Sequence, residues 1–207
     1  FLHNAYTFVL DLLFPISCVG CGEEKTYCCT SCVAAFQEEI RIQKIPFSHS
    51  YTATALYNFK ENKPVADLIH QFKYESVDGT AAILTKLLGD QIEPIIKNAF
   101  LIPVPLHKGR QRERGFNQSA LIAESLSKKY GASCKGVLQR HRYTTPQVGL
   151  TSAQRRKNVV GAFSIHKNYN TLDPSLQYVL IDDVITTGAT LRECADVLEA
   201  HGAKRIS

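Results

Sequence analysis

The chain has 207 residues, 44% of them hydrophobic, and a formal net charge of +5. This length suits one well-packed domain with a small appendage, and no segment approaches the ~18 consecutive apolar residues of a membrane-spanning helix. The seven cysteines lack the even, dispersed spacing of a secreted disulfide scaffold, so we expect a protein of the reducing cytoplasm.

The positive charge is concentrated in the middle of the chain. Residues 101–160 contain twelve Lys or Arg against two acids, a net charge of +10, so the rest of the chain carries −5. A solvated basic face would account for this concentration. Together with the motifs below, it favours an anionic ligand, namely phosphate, diphosphate or a nucleic-acid backbone.

The N-terminal segment FLHNAYTFVLDLLFP is the most apolar part of the sequence. It lacks the basic start of a signal peptide, and it predicts a docked amphipathic helix, with a membrane-surface contact as the alternative. We divide the chain into residues 1–45, a helix followed by a cysteine-rich finger, and residues 46–207, an α/β domain. Because the sequence has no methionine and stops at KRIS, where a strand begins, we expect the native chain to extend further.

Five cysteines lie within fifteen residues, in the segments CVGCG (18–22) and CCTSC (28–32). Cys18, Cys21, Cys29 and Cys32 give the pattern C-x₂-C-x₇-C-x₂-C. Two thiolate pairs with this spacing suit a closed, tetrahedral, structural Zn²⁺ site. Cys28 is an alternative third ligand to Cys29, and a redox C-x-x-C motif is the less favoured interpretation.

Alternating strands and helices predict an α/β fold with a mostly parallel sheet flanked by helices. The best strand is YVLIDD (178–183), and FLIPVP (100–105) is a second, although Pro103 argues against a central position. Helices are predicted over 117–131, with Asn117 as N-cap and Gly131 at the end, and over 190–203. Thr190 and Glu193 have the spacing of a capping box.

Most of the excess positive charge lies in residues 107–120 and 138–163, which we interpret as loops. These loops are predicted to contact diphosphate or DNA, and Phe116, Tyr143 and Phe163 are available for base stacking. We interpret His107 and His141 as ordinary polar loop residues. The predicted contact residues are Lys108, Arg110, Arg112, Arg114, Arg140, Arg142, Arg155 and Arg156.

The segment YVLIDDVITTGAT (178–190) carries the clearest chemistry. In an open α/β sheet, ligands bind beyond the carboxyl ends of the strands, where Asp182 and Asp183 stand. The loop that follows offers threonine hydroxyls, the flexible Gly188 and the unpaired N–H groups of a helix N-terminus. We therefore predict a sugar-phosphate pocket in which the acids bind ribose hydroxyls and the loop binds the phosphate. The predicted loop residues are Thr186, Thr187, Gly188, Ala189 and Thr190.

A magnesium site and a plain turn are the alternatives to a sugar-phosphate pocket in this segment. Paired acids after a strand also hold magnesium in nucleotide hydrolases, but the G-x-x-x-x-G-K-[ST] loop of those enzymes is absent from the sequence. A turn capped by aspartate and threonine accounts for each residue singly, but not for two acids, three threonines and a glycine within nine residues. VLIDDVITTGATL resembles the phosphoribosyl diphosphate (PRPP) signature of type I phosphoribosyltransferases.

Five segments follow the cysteines in order: PVPL, RGFNQ, LQRHRYTTPQ, RRKNVVGAF and VLIDDVITTGATL. With the four-cysteine segment they resemble the ComF family of competence proteins over nearly the whole chain. The resemblance implies a phosphoribosyltransferase-like domain that binds PRPP with Mg²⁺, an N-terminal zinc finger, and a role in handling incoming single-stranded DNA during natural transformation. It also implies a helicase-like companion in the DNA-uptake machinery and a cytoplasmic location with peripheral contact to the inner membrane.

The sequence leaves the catalytic status open. A PRPP-dependent glycosyltransferase would displace diphosphate from C1 of the ribose, but no general base for an acceptor can be named, so the catalytic residues are unknown. The alternative functions are a metabolic or salvage phosphoribosyltransferase without a DNA role, and a DNA-binding module in which the PRPP loop is a relic.

Overall fold

The computed structural model describes residues 16–47, 50–58, 61–72, 78–144 and 151–207, and the predicted N-terminal helix lies outside these ranges. The central element is a four-stranded, all-parallel sheet with the strand order β4-β3-β7-β8. Its strands are β3 (Ala99–Pro103), β4 (Ser133–Cys134), β7 (Gln177–Ile181) and β8 (Arg205–Ile206). Within the described residues, the predicted α/β class with a parallel sheet is confirmed.

Helices cover both faces of this sheet. The described helices are α1 (Thr30–Glu38), α2 (Lys63–Gln71), α3 (Asp78–Leu87), a 3₁₀ turn (Asp90–Ile92), α4 (Glu93–Ile96), α5 (Lys108–Arg114), α6 (Gln118–Tyr130), α7 (Ser152–Val159) and α8 (Ala189–Ala200). Two antiparallel ribbons complete the fold, β1 (Gln43–Pro46) with β2 (Thr52–Ala55), and β5 (Leu138–Arg140) with β6 (Phe163–Ile165). The proposed domain boundary at residue 45 falls within β1, and it stays a prediction.

The consecutive apolar residues of β7 follow from burial on both faces. Val179 and Ile181 pack into one core with Ile122 and Leu126 of α6. Tyr178 and Leu180 point to the opposite core, with Leu191, Cys194 and Leu198 of α8. Side chains alternate between the faces of a strand, so a strand covered on both sides needs apolar residues at every position.

The connections of the sheet determine where a ligand can bind. From β3 the chain passes through α6 to the outer neighbour β4, and from β7 it passes through α8 to the outer neighbour β8 on the other side. The direction of the strand order therefore reverses between β3 and β7. Such a reversal opens a crevice at the carboxyl ends of the two strands, which are Pro103 and Ile181 here.

Pro103 does lie in a central strand, contrary to the sequence argument against it. It is the last residue of β3, and the next residue, Val104, donates its backbone N–H to Ile181 O. Pro103 is thus tolerated at a strand end, where the pairing with β7 resumes at the following residue. No helix in the described part of the chain is long and apolar enough to cross a membrane.

Candidate sugar-phosphate site and cysteine cluster

Asp182 and Asp183 lie directly after β7, at the crevice that the sheet topology predicts. The Ser119 hydroxyl donates a hydrogen bond to Asp182 Oδ1 at 3.0 Å, and the Asp183 backbone N–H donates to the same oxygen at 3.1 Å. Burial, and then the neighbouring charge of Asp183, raise the pKa of the Asp182 carboxyl above its ordinary value. Ligand hydroxyls or a cation at the Asp182 carboxylate would offset these two unfavourable effects.

The threonine-rich loop connects these acids to the N-terminus of α8. Gly188 is the N-cap of α8 and has a φ of 69°, a left-handed conformation that glycine adopts without strain. A Cβ at this position would lie 2.6 Å from Phe47 Cβ, so the loop packs closely on the segment after β1. Thr187 Oγ1 is buried and has no hydrogen-bond partner in the described part of the structure. An unpaired buried hydroxyl at a helix N-terminus suits an anion.

The predicted capping box of α8 is wrong. The N-cap is Gly188 rather than Thr190, and Glu193 accepts a hydrogen bond from the Gly161 backbone N–H instead of one within its own helix. The Glu193 side chain therefore bonds to the turn after α7 and not to the N-terminus of its own helix. The N-cap Gly188 thus makes no side-chain hydrogen bond to the first turn of α8, whose N–H groups point toward the threonine loop.

A second group of unsatisfied polar atoms lies at the start of α6, beside Ser119. Asn117 donates from Nδ2 to Val104 O at 3.0 Å, but its Oδ1 is buried and no described residue donates to it. Gln118, only 2% exposed, accepts from Arg114 through Oε1, while its Nε2 has no acceptor among the described residues. Buried polar atoms are normally hydrogen-bonded, so their concentration at the ends of β3 and β7 indicates a ligand site.

Both basic segments contain helices, so their interpretation as loops is wrong. Residues 108–114 form α5 and residues 152–159 form α7. Thr151 and Gln154 make a complete capping box at α7, and this T-x-x-Q signal is visible in the sequence. The helix α5 has no buried residues, so no hydrophobic periodicity marks it, and its N-cap is His107.

Arg140 is placed differently from the other basic residues. It is only 9% exposed and donates a hydrogen bond to Thr144 Oγ1, while its Nε has no partner in the described structure. Burial, and then the charge of Arg110, lower the pKa of its guanidinium, while the charge of Asp182 acts in the opposite direction. Arg110 and Arg140 both donate to Thr144, and Arg140 is close enough to Asp182 for the two charges to interact, whereas Lys108, Arg112, Arg142 and Arg156 are exposed.

Two of the three predicted stacking residues are not available for that role. Phe163 is buried, and Arg140 lies over its ring at 5.1 Å. Phe116 is half-buried against Phe72, with the ring centroids 5.9 Å apart. Tyr143 is exposed and retains a surface on which a planar ligand could stack.

A cavity of about 220 Å³ adjoins the acids, and no described Lys or Arg lines it. Its walls include Asp182, Asp183, Val184 and Ile185, but most of the lining is apolar, with side chains from β2, α3, α4, α6 and β7. Apolar walls do not suit phosphate. The support for an anion site therefore comes from the threonine loop and the arginines, and not from this cavity.

The structure brings together Cys18, Cys21, Cys29 and Cys32, whose sulfur atoms all lie within 4.8 Å of one another. The Cys29 backbone N–H lies 3.3 Å from Cys18 Sγ, and such donors commonly support metal-bound thiolates. Burial alone would raise the pKa of the Cys18 thiol, but this N–H and those of Cys21 and Gly20 hold that pKa below its ordinary value. Four cysteine sulfur atoms this close together could hold a metal ion, and they suit Zn²⁺.

Cys28, the alternative ligand in the sequence, is not part of this group. It is 5% exposed, packs into the core with Phe36 and Leu87, and its burial followed by the charge of Cys18 raise the pKa of its thiol to about 12. The geometry therefore favours Cys29 as the third ligand.

Comparison with curated proteins shows which protein family this chain is related to. It is 31% identical over 200 residues to Competence protein F of Haemophilus influenzae, an alignment that covers 93% of this chain and 82% of that protein. This chain belongs to the ComF family.

Two further relatives agree with this assignment. The ComF chain is 28% identical over 196 residues to DNA utilization protein YhgH of Salmonella typhimurium, with coverage of 91% and 80%. It is 32% identical over 106 residues to Competence protein ComFC of Bacillus subtilis, with coverage of 51% and 40%. A scan against protein-family models found no match.

Two functional candidates in this ComF-family chain are not predicted from its sequence. Ser119 binds Asp182 across 63 positions of the chain, and Thr144 links Arg110 to Arg140. The sequence signal for Ser119 is weak, a polar residue two positions after Asn117 at the start of a helix that follows β3. Thr144 has no such signal, because its role depends on two arginines that lie far apart in the sequence.

Proposed function

We propose that this chain acts in DNA uptake, binding PRPP at Asp182, Asp183 and the Thr186–Thr190 loop and handling single-stranded DNA on its basic surface. One observation carries the PRPP part of the proposal. The paired acids, an unpaired Thr187 hydroxyl and a helix N-terminus without a side-chain cap meet at the switch point between β3 and β7 of the described structure. The DNA part is supported by the names of its relatives, which refer to competence and DNA utilization.

The proposed contacts follow from the chemistry of each group. The carboxylates of Asp182 and Asp183 would accept from the 2- and 3-hydroxyls of the ribose, and the loop N–H and hydroxyl groups would donate to the 5-phosphate. Arg110 and Arg140, which meet at Thr144, would donate to the diphosphate. Mg²⁺ bound with PRPP would neutralise the diphosphate, and carboxylate oxygens are ligands that Mg²⁺ accepts.

The proposal concerns binding rather than transfer. Transfer would break the C1–diphosphate bond, with positive charge developing on the ribose in the transition state. Among the described residues, we assign no side chain as the general base that would activate an acceptor. The helicase-like companion and the contact with the inner membrane stay predictions.

Calorimetric titration of PRPP with Mg²⁺ tests the pocket. Wild type and an Asp173→Asn control, which alters an exposed acid of the loop before β7, are expected to bind. The Asp182→Asn, Asp183→Asn double variant is expected to lose binding, because neutral amides replace both carboxylates. Absence of binding to wild type contradicts the PRPP part, and turnover of PRPP with a free nucleobase by a protein without DNA affinity supports the salvage alternative.

A further inference from the structure

The ring of Tyr143 is exposed and at the same time held in place. It is 51% exposed, which is the largest exposed fraction of any aromatic side chain in the large exposed hydrophobic group of the described residues. The His107 ring meets it edge-on, with centroids 5.1 Å apart and planes at 87°, and the Arg110 guanidinium lies 5.8 Å from its centroid. Gly109 packs against the ring so closely that a Cβ there would lie 3.3 Å from Tyr143 Cε2. A flat π surface is thus fixed by the start of α5 and still accessible to a ligand.

The segment that carries Tyr143 joins two basic helices. Arg110 of α5 donates to Thr144 O at 3.3 Å, and Arg142 donates to Asn158 O of α7 at 3.2 Å and to Val160 O. The α5 helix, residues 140–144 and residues 151–159 together contain nine Lys or Arg and one acid, Glu113, a net charge of +8. We call this surface the basic platform.

The ion pairs of the described residues do not account for the charge of Arg112, Arg142 and Arg156 on the basic platform. The ion pairs found among the described residues join Lys97 to Glu93 and Lys129 to Asp90, at other places on the molecule. No described carboxylate forms an ion pair with Arg112, Arg142 or Arg156. A single PRPP molecule would occupy the cations beside Asp182 and would leave these three arginines to another ligand. The remaining charge suits an extended polyanion.

We propose that Tyr143 is a stacking platform for a base of single-stranded DNA whose phosphates lie along α5 and α7. This rests on the DNA part of the proposed function and assigns a surface to it. In a duplex the base faces are stacked on one another, so an exposed aromatic ring on a basic surface selects a single strand, in which the faces are free. Because Arg110 contacts Tyr143 and shares Thr144 with Arg140, the strand would pass next to the two arginines that the proposed function assigns to the diphosphate.

Two strands of equal length and charge test this proposal by fluorescence anisotropy, a labelled oligothymidylate and an abasic strand with the same backbone. A stacked base contributes about 1–3 kcal/mol, so wild type is expected to bind the thymidylate strand about tenfold more tightly than the abasic one. Tyr143→Leu should remove this preference and leave the affinity for the abasic strand unchanged. Tyr143→Phe should retain it, because the ring is kept.

A charge variant separates stacking from phosphate binding. Arg112→Ala with Arg156→Ala is expected to weaken binding of both strands and to reduce the slope of log affinity against log salt, by roughly 0.7 for each phosphate that the variant no longer neutralises. Lys97→Ala, which removes an ion-paired lysine of the α4 region, is the matched control and should change neither.

Each of three contrary outcomes would contradict a different claim. Tyr143→Leu binding thymidylate as tightly as wild type, with an unchanged melting temperature, overturns the stacking platform alone. Failure of wild type to bind either strand contradicts the DNA part of the proposed function. A uridylate strand bound more tightly than thymidylate would show that the surface is built for RNA, and this also overturns the proposal.

Discussion

The Ser119 hydroxyl donates to Asp182 Oδ1 at 3.0 Å, and this hydrogen bond joins the first turn of α6 to the carboxyl end of β7. The two residues belong to elements on opposite sides of the switch point, since α6 follows β3 and Asp182 follows β7. Burial and then the charge of Asp183 raise the pKa of the Asp182 carboxyl, and they outweigh the opposite effect of the Ser119 hydrogen bond. Asp182 is thus held in one orientation at a cost in stability when it is ionised.

Asp182→Asn is expected to stabilise the protein near neutral pH while it weakens PRPP binding. Because the pKa of Asp182 is raised in the folded state, the folded protein holds this proton more tightly than the unfolded chain does. Wild type therefore loses stability as the pH rises from about 4, the ordinary carboxyl pKa, through the raised value. The melting-temperature advantage of Asp182→Asn should grow over this pH range.

Asp173→Asn is the control, because the pKa of Asp173 is lowered in the folded state and the expected change in stability is the opposite. The Ser175 hydroxyl and N–H donate to Asp173 Oδ1 and lower the pKa of this carboxyl. Its contribution to stability is present above the ordinary carboxyl pKa and is lost as the pH falls, so Asp173→Asn should be the less stable protein at neutral pH. A stability difference between wild type and Asp182→Asn that does not change with pH contradicts the assignment of a raised pKa.

Replacement of single cysteines should separate the metal ligands from their neighbour. Cys29→Ser is expected to lose tightly bound zinc, because it removes one of the four sulfur atoms that lie within 4.8 Å of one another. Cys28→Ser is the matched control and should retain one equivalent of zinc per chain, because Cys28 packs into the core instead. The measurement is the zinc content after dialysis, determined by mass spectrometry. Zinc loss in Cys28→Ser but not in Cys29→Ser would show that Cys28 is the third ligand.

Gly188→Ala should destabilise the protein and abolish phosphate binding at the loop. The left-handed φ of 69° costs a residue with a Cβ about 1–2 kcal/mol, and the added atom would lie 2.6 Å from Phe47 Cβ. Gly131→Ala would have the same backbone strain, since Gly131 has a φ of 67°, but no described atom lies within 4 Å of its added Cβ. Urea unfolding should therefore show a larger loss for Gly188→Ala, and equal losses would mean that Phe47 moves aside without cost.

The strand-to-loop unit could be predicted closely from the sequence. The run YVLI and the acids after it required a strand buried on both faces and ending at a ligand crevice, and β7 has this position. The cysteine spacing likewise predicted the group of four sulfur atoms. The basic segments resemble loops in sequence because neither α5 nor α7 presents an apolar stripe, the main sequence signal of a helix.

The sequence by itself determined the features that depend on neighbours in the chain. These are the alternation of strands and helices, the two acids before a threonine loop, and the paired cysteines, since turns, caps and short metal loops are built by adjacent residues. Only the tertiary structure decided the features that depend on packing: the burial of Phe163, the exposure of Tyr143, the exclusion of Cys28 and the pairing of Ser119 with Asp182. Burial and long-range contacts arise when whole faces of elements meet, and no local pattern encodes which side chains remain outside.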